Sequence, residues 1–312
     1  MPHGIHHVTA MAGRAHRNLD IYARTLGLRL VKRTVNFDDP GTYHFYYGDE
    51  TGQPGSIVTF FPWEHAAPGQ VGVGETMETA LRIPETAVAF WTHRLVAAGL
   101  RHEAPQKRFG ETVLRVRDPD GMRLALVGVP GLEAEPAWST AEIPAEAAIR
   151  GVHSVGLLLA DPAPTAAILT DVLGFAEVGR DDEVVRYRAV DARDAGVGAT
   201  VDLHTAGGPA RGRLGAGSVH HVAFRAADDA AQADMVARLA DRHGITTTGQ
   251  RDRNYFRSVY FREPGGVLFE IATDQPGFAV DEPIASLGTA LKLPPQLEPR
   301  RAAIEAVLPQ VA

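Results

Sequence analysis

The 312-residue sequence contains no cysteine. That absence excludes disulfides, thiolate metal ligands and a cysteine nucleophile, so any metal must sit on imidazole and carboxylate groups. There is no run of basic residues, and the formal net charge is −7. Both features argue against nucleic acid or an anionic membrane as the main partner and leave a small molecule. No basic segment followed by a short apolar stretch opens the chain, and no apolar run reaches about 18 residues. The expectation is therefore a soluble, cytoplasmic protein. What the chain does have is apolar content, 45% of its residues. It is also longer than the size at which one hydrophobic core usually stops growing, so two core-bearing units are expected.

Self-similarity organises the chain. Four segments fit one β-α-β-β-β template: residues 4–63, 76–129, 149–205 and 218–273. In the first, a strand over Ile5 to Ala10 precedes a helix expected from Leu19 to Leu26, with Asn18 as N-cap and Gly27 as the glycine after its end. In the second, a helix is expected from Ala87 to Ala98, followed by Gly99. In the third, Val172-Leu173-Gly174-Phe175 echoes Thr25-Leu26-Gly27-Leu28. Each unit is too small to bury a sheet face alone, so units must pair. Residues 130–148, rich in Pro, Ala and Glu, read as a linker. Residues 276–312 read as a C-terminal strap with a short helix. The fold class is α+β: four βαβββ modules paired into two open, barrel-like domains.

Aligning the copies singles out particular positions. His6-His7-Val8 lies over His153-Ser154-Val155 and over His220-His221-Val222, so only the first and fourth copies carry histidine at the second site. Aligning the closing hairpins puts Ala125 over Glu270, with Thr59 and Asp202 at the same register in the other two copies. Successive strand residues face opposite sides, so one histidine per doublet can point inward. His7, His221 and Glu270 are the expected metal ligands, with His6 and His220 behind them or on the other face. A shared site requires units one and four to meet, hence a one-with-four, two-with-three pairing. A three-residue Pro264-Gly265-Gly266 loop would set Tyr260 opposite Glu270, whereas a two- or four-residue loop would turn it away. Two imidazoles and one carboxylate leave open coordination positions. That suits non-haem Fe(II), with Mn(II) as an alternative and zinc less expected.

These residues resemble the vicinal oxygen chelate superfamily, which includes glyoxalases, bleomycin-resistance proteins and extradiol dioxygenases. The stretch Leu30-Val31-Lys32-Arg33-Thr34-Val35-Asn36-Phe37-Asp38-Asp39-Pro40-Gly41-Thr42-Tyr43-His44, followed by Tyr46-Tyr47-Gly48-Asp49, is similar to the ring-cleaving hydroquinone dioxygenases. The resemblance implies an Fe(II)-dependent enzyme that uses O₂ for 1,2-cleavage of a hydroquinone ring, bare or carrying alkyl or halogen substituents, in aromatic degradation. It makes His7, His221 and Glu270 the iron ligands. It also marks Arg253 and Tyr260 as catalytic, and His6, Thr9 and His220 as substrate-binding or supporting residues. Phe224, Tyr255, Phe256, Phe261 and Phe269 are candidates for the pocket wall. The expected partners are a small aromatic diol and O₂, not nucleic acid or membrane, and a homo-oligomer stays open. Three alternatives accompany this reading: an extradiol catechol dioxygenase, a glyoxalase-like metal-dependent isomerase or lyase, and a non-catalytic binding module. An isomerase would usually need a further carboxylate, which Thr59 does not supply.

Overall fold

The computed structural model describes residues 3–190, 196–208 and 210–311. The chain forms two mixed sheets, each built from two βαβββ segments. The first segment holds β1 (Ile5–Ala12), α1 (Ala15–Leu19), β2 (Arg29–Asn36), β3 (Asp39–Gly48) and β4 (Ile57–Pro62). The second holds β5 (Glu75–Pro84), α2 (Val88–Ala97), β6 (Arg101–His102), β7 (Gln106–Arg108), β8 (Glu111–Arg117) and β9 (Arg123–Val129). The third holds β10 (Val152–Leu159), α3 (Ala163–Asp171), β11 (Phe175–Asp181), β12 (Val184–Ala189) and β13 (Thr200–Thr205). The fourth holds β14 (Val219–Ala226), α4 (Asp229–His243), β15 (Arg251–Asp252), β16 (Arg257–Arg262) and β17 (Leu268–Thr273). The architecture is α+β and of glyoxalase type.

One eight-stranded sheet runs β15-β16-β17-β14-β1-β4-β3-β2. The other is nine-stranded, in the order β11-β12-β13-β10-β5-β9-β8-β6, with β7 also paired to β8. In each, an antiparallel pair of opening strands, β1 with β14 or β10 with β5, lies at the centre. Each opening strand is also parallel to the closing strand of its own segment. β1 and β10 are buried almost throughout, the polar residues His6, His7, Thr9, His153 and Ser154 included.

Both central pairs carry bulges at equivalent places. Between β1 and β14 the register skips His6 on one strand and His220 on the other, so the first histidine of each doublet is the extra residue of its bulge. The β10–β5 pair shifts at the same points, skipping His153 and Met77. A bulge re-aims its side chain relative to simple alternation, which matters for the site described below.

The first helix differs from the expectation. It starts at Ala15 rather than Leu19, Arg14 stands at its N-cap, and it continues as a π-helical segment over Asp20–Thr25. Its N-terminus is satisfied from a distance, because the Ala15 amide donates to Glu64 Oε1 at 2.9 Å. A cap supplied from about fifty residues downstream leaves no local sequence signature. Asn18 is not a cap: it is buried, and its Oδ1 accepts a hydrogen bond from the Tyr47 hydroxyl at 2.9 Å. Gly27 follows at φ +69°, where a Cβ would also run into Ile143 of the connecting segment. The second helix starts with a 3₁₀ turn, Glu85–Ala87, before α2, and Gly99 lies beyond its end at φ +64°.

The C-terminal segment contains 3₁₀ turns and α5 (Arg301–Val307). It lies against the outer strand β2, where Lys292 N donates to Arg33 O and the fully buried Lys32 ammonium meets Asp281 and Glu282, each at 2.5 Å. Among the described residues no helix is long and apolar enough to cross a membrane.

Candidate metal centre

Three buried side chains converge on the concave face of the eight-stranded sheet. His7 comes from β1, His221 from β14 and Glu270 from β17, and their ligand atoms lie within 4.8 Å of one another. Glu270 Oε2 is 3.4 Å from His7 Nε2 and 2.8 Å from His221 Nε2. Their convergence follows from the register, since Thr9 is paired with His221 and Ala223 with both His7 and Glu270.

The neighbouring histidines determine which ring nitrogens face the centre. His6 Nδ1 lies 2.9 Å from His7 Nδ1, and His220 Nδ1 lies 2.8 Å from His221 Nδ1. Burial, the adjacent His7 and other charges hold the His6 imidazole well below its ordinary pKa, and the backbone of Thr273 also hydrogen-bonds it. Burial and His221 push His220 down to about 4. Both are therefore neutral at physiological pH, and the Nδ1 of each can accept a hydrogen bond from the Nδ1–H of the neighbouring ring, which leaves the Nε2 lone pairs of His7 and His221 facing inward. The bulges at His6 and His220 put each doublet partner close enough to do this.

Burial alone would raise the Glu270 carboxyl, but His7 and His221 outweigh it and hold the group well below the usual carboxylate range. Burial lowers His221 as well, despite the attraction of Glu270. The set therefore combines a carboxylate anion with a neutral imidazole. His221 Nε2 and Glu270 Oε2 are both buried and have no hydrogen-bond partner, although they lie 2.8 Å apart. Two lone pairs facing each other at that distance in a buried site are unfavourable unless a cation sits between them. The donor set thus fits a divalent metal. The remaining Glu270 oxygen, Oε1, accepts a hydrogen bond from the fully buried Ser258 hydroxyl.

The centre lies at the base of a cavity of about 260 Å³. Its wall includes Phe37, Tyr46, Phe61, Trp63, Phe256 and Tyr260. Of the aromatic residues expected at the wall, only Phe256 is there. Phe224, Phe261 and Phe269 pack in the main core, and Tyr255 turns away to donate to Asp281 Oδ2 at 3.0 Å. The sequence alternation of that segment could not distinguish these faces.

Tyr260 stands opposite Glu270 across the β16–β17 hairpin, and Gly266 in its loop has φ +103°. Arg253 and Tyr260 both line the cavity. Arg253 Nε donates to the Tyr260 hydroxyl at 3.3 Å, and its terminal nitrogen donates to Asp38 Oδ2 at 3.0 Å. Burial raises Tyr260 and Glu270 adds to the effect, so the phenol stays protonated. His220 reaches the wall, whereas His6 and Thr9 lie behind it.

His44 and its partners were not singled out from the sequence as site residues. Tyr46 OH lies 2.9 Å from His44 Nδ1, and His44 Nε2 lies 2.7 Å from Thr59 Oγ1, which donates to Thr9 Oγ1 at 3.0 Å. A consistent tautomer donates from Tyr46 to His44, from His44 to Thr59 and from Thr59 to Thr9. Burial and the nearby histidines hold His44 well below its ordinary pKa. His44 and Tyr46 are two apart on β3 and so share a face. Their position in the His44-Phe45-Tyr46 alternation was the available signal. Ser258 had none, since nothing local marks it as Glu270's partner.

The sequence model of the Glyoxalase/Bleomycin resistance protein/Dioxygenase superfamily matches residues 4–126 and 151–271. The chain belongs to this superfamily. Among its relatives, the Bacillus subtilis (strain 168) protein named "Putative ring-cleaving dioxygenase MhqO" is 46% identical over 97% of this chain and 94% of its own length. The Sphingobium indicum chlorohydroquinone/hydroquinone 1,2-dioxygenase is 33% identical over 95% of this chain and 92% of its own length. A solved Bacillus subtilis "putative dioxygenase" superposes with a TM-score of 0.92 at 45% identity, over 99% of this chain and 97% of that one. Maize glyoxalase I shares the superfamily fold, with a TM-score of 0.67 at 14% identity over 88% of this chain and 93% of that one.

Proposed function

We propose that this superfamily member is an Fe(II)-dependent ring-cleaving dioxygenase that opens a hydroquinone by 1,2-cleavage, acting on a small aromatic para-diol and O₂ in the cytoplasm. The observation that carries the proposal is the buried His7, His221 and Glu270 set, with its inward lone pairs, at the base of an aromatic-walled cavity of about 260 Å³. That volume is near the low end for small-molecule sites and suits a single ring. The 2-His-1-carboxylate donor set and the relatives' names favour iron over zinc, with Mn(II) the nearest alternative.

Bound iron would supply a Lewis-acidic centre with open positions for both a substrate hydroxyl and O₂. The protein supplies orientation and proton control. A para-diol has only one hydroxyl near the metal, so the wall must fix the ring, and Phe256, Phe61 and Trp63 offer flat surfaces for this while excluding water. Tyr260, kept protonated, can donate a hydrogen bond to a substrate oxygen. Arg253 holds Tyr260 and brings positive charge to the site where negative charge develops on oxygen. His44, neutral and wired through Thr59 to Thr9, can hold or pass a proton without itself becoming a cation in the ground state.

Anaerobic loading with Fe(II), followed by oxygen-uptake measurements, tests this reading. Oxygen uptake is expected with hydroquinone or methylhydroquinone, together with a ring-opened product. Uptake with catechol alone would refute the para-diol assignment. Turnover of a glyoxal hemithioacetal without oxygen uptake would favour an isomerase.

A further inference from the structure

The nine-stranded sheet repeats the geometry of the metal-bearing sheet with different chemistry. Register puts Glu78, Ser154, Asp202 and Ala125 where the other sheet carries His221, His7, Thr59 and Glu270, in that order. Glu78 is tied to Arg108 at 2.7 Å and to Arg115 at 3.2 Å, and Asp202 is held by Arg186 at 2.7 and 2.9 Å. This face is thus committed to guanidinium groups, and among the described residues it offers no metal ligand set.

Its concave side nevertheless encloses a cavity of about 500 Å³, larger than the one above the metal ligands. Arg101, Arg117 and Arg123 lie side by side across β6, β8 and β9, with Arg101 paired to Arg117 and Arg117 to Arg123. Directly opposed residues in an antiparallel pair have Cα atoms roughly 4.5–5.5 Å apart, and like charges there are destabilising. None of these three arginines forms an ion pair among the described residues. Burial and the facing Arg117 lower the Arg123 pKa, against the opposing attraction of Glu78 and Glu103. Six cationic side chains line the cavity against four carboxylates. Of the latter, Glu78 is occupied by Arg108 and Arg115, Glu103 sits 3.7 Å from Arg115, and Asp181 accepts the Phe109 amide. A second observation points the same way. Arg108 is more than nine-tenths buried and lines the cavity, yet its Nε has no partner, and neither does the buried Nε2 of His204.

We propose that this cavity binds a small anion of two or more charges, of the carboxylate or phosphate class, clamped by the Arg101, Arg117 and Arg123 row. Adjacent guanidiniums form a fork array suited to several oxyanion contacts at once, and the anion supplies the direct ion-pair partner that the row lacks among the described residues. The site is separate from the metal centre and does not depend on the enzymatic reading above.

Titration calorimetry on the full-length, iron-loaded protein, with inorganic phosphate and with maleate at ionic strength matched by sodium chloride, tests the proposal and distinguishes the two sources of oxyanion. Saturable binding of at least one probe is expected, weakened about tenfold or more by R117Q or R123Q as charge-assisted hydrogen bonds are lost. R101Q, at an exposed position, serves as the variant least able to disturb folding and should weaken binding in the same direction. Absence of binding by both probes, or equal binding by wild type and all three variants, overturns the proposal. Binding lost in H221A but kept in the arginine variants would assign the anion to the metal centre and overturn it equally.

Discussion

The Ser258 hydroxyl provides a sharp test of how the metal centre is built. Ser258 is fully buried and donates to Glu270 Oε1, leaving Oε2 to face His7 and His221. Replacing it with alanine removes little volume but takes away a hydrogen bond to a buried carboxylate, an interaction worth about 1.5–3 kcal/mol. At about 1.4 kcal/mol per decade, that loss corresponds to roughly 10–100-fold in metal affinity, the range expected when an outer partner of a metal ligand is removed. A competitive chelator titration with Fe(II) under anaerobic conditions would measure it, with circular dichroism confirming that S258A remains folded. The expected result is a weakened but still stoichiometric site, whereas E270A should bind no metal at that position. Unchanged affinity in S258A would refute the argument that the hydroxyl orients the carboxylate. Metal retained at full stoichiometry in E270A would refute the ligand set itself.

Other outcomes follow from the same geometry. H6A and H220A should each lower Fe(II) affinity by roughly 10–100-fold, because each removes the ring that fixes a ligand's tautomer, and the chelator titration would measure both. K32A leaves Asp281 and the buried Glu282 without their cation; it should cost about 3 kcal/mol in urea unfolding and expose the C-terminal segment to proteolysis. For Glu111, burial would raise the pKa, but hydrogen bonds from His153 and Arg186 outweigh it and bring the carboxyl down to about 2. A depressed carboxylate contributes stability that is complete above its unfolded-state value near 4.5 and is lost as the pH falls through about 2. Discounted for partial exposure, the effect is about 2 kcal/mol, so E111Q should flatten the acid limb of the urea-unfolding profile between those values. No change in that limb would show that Glu111 does not carry the stabilisation.

The repeat and its punctuation were legible because they are local. Gly27 and Gly99 both sit at positive φ just beyond helices, and a glycine at such a point is written into the chain itself. The β16–β17 hairpin was readable only as a choice of loop lengths, and the three-residue Pro264-Gly265-Gly266 loop is the one that forms, bringing Tyr260 opposite Glu270. The start of α1 was not readable, since its cap comes from Glu64 and the side chain of Asn18 is claimed by Tyr47. Nor was the division of the aromatic residues between core and cavity. Phe256 faces the metal ligands and the adjacent Tyr255 does not, and this depends on the packing of the C-terminal segment against Tyr255.

By itself, the sequence determined the chemical types available: two histidine doublets, the Glu270 carboxylate in the closing strand of the fourth unit, and no thiol. Such chemistry is carried by residue identity and by the period of two along a strand. Only the tertiary structure decided that β1 and β14, more than 200 residues apart in sequence, lie side by side. It also decided that bulges bring His6 and His220 onto the rings of their neighbours, and that Ser258 and His44 belong to the site. These are long-range pairings, and the free energy that selects among them comes from burial summed over a whole sheet, which no single segment encodes.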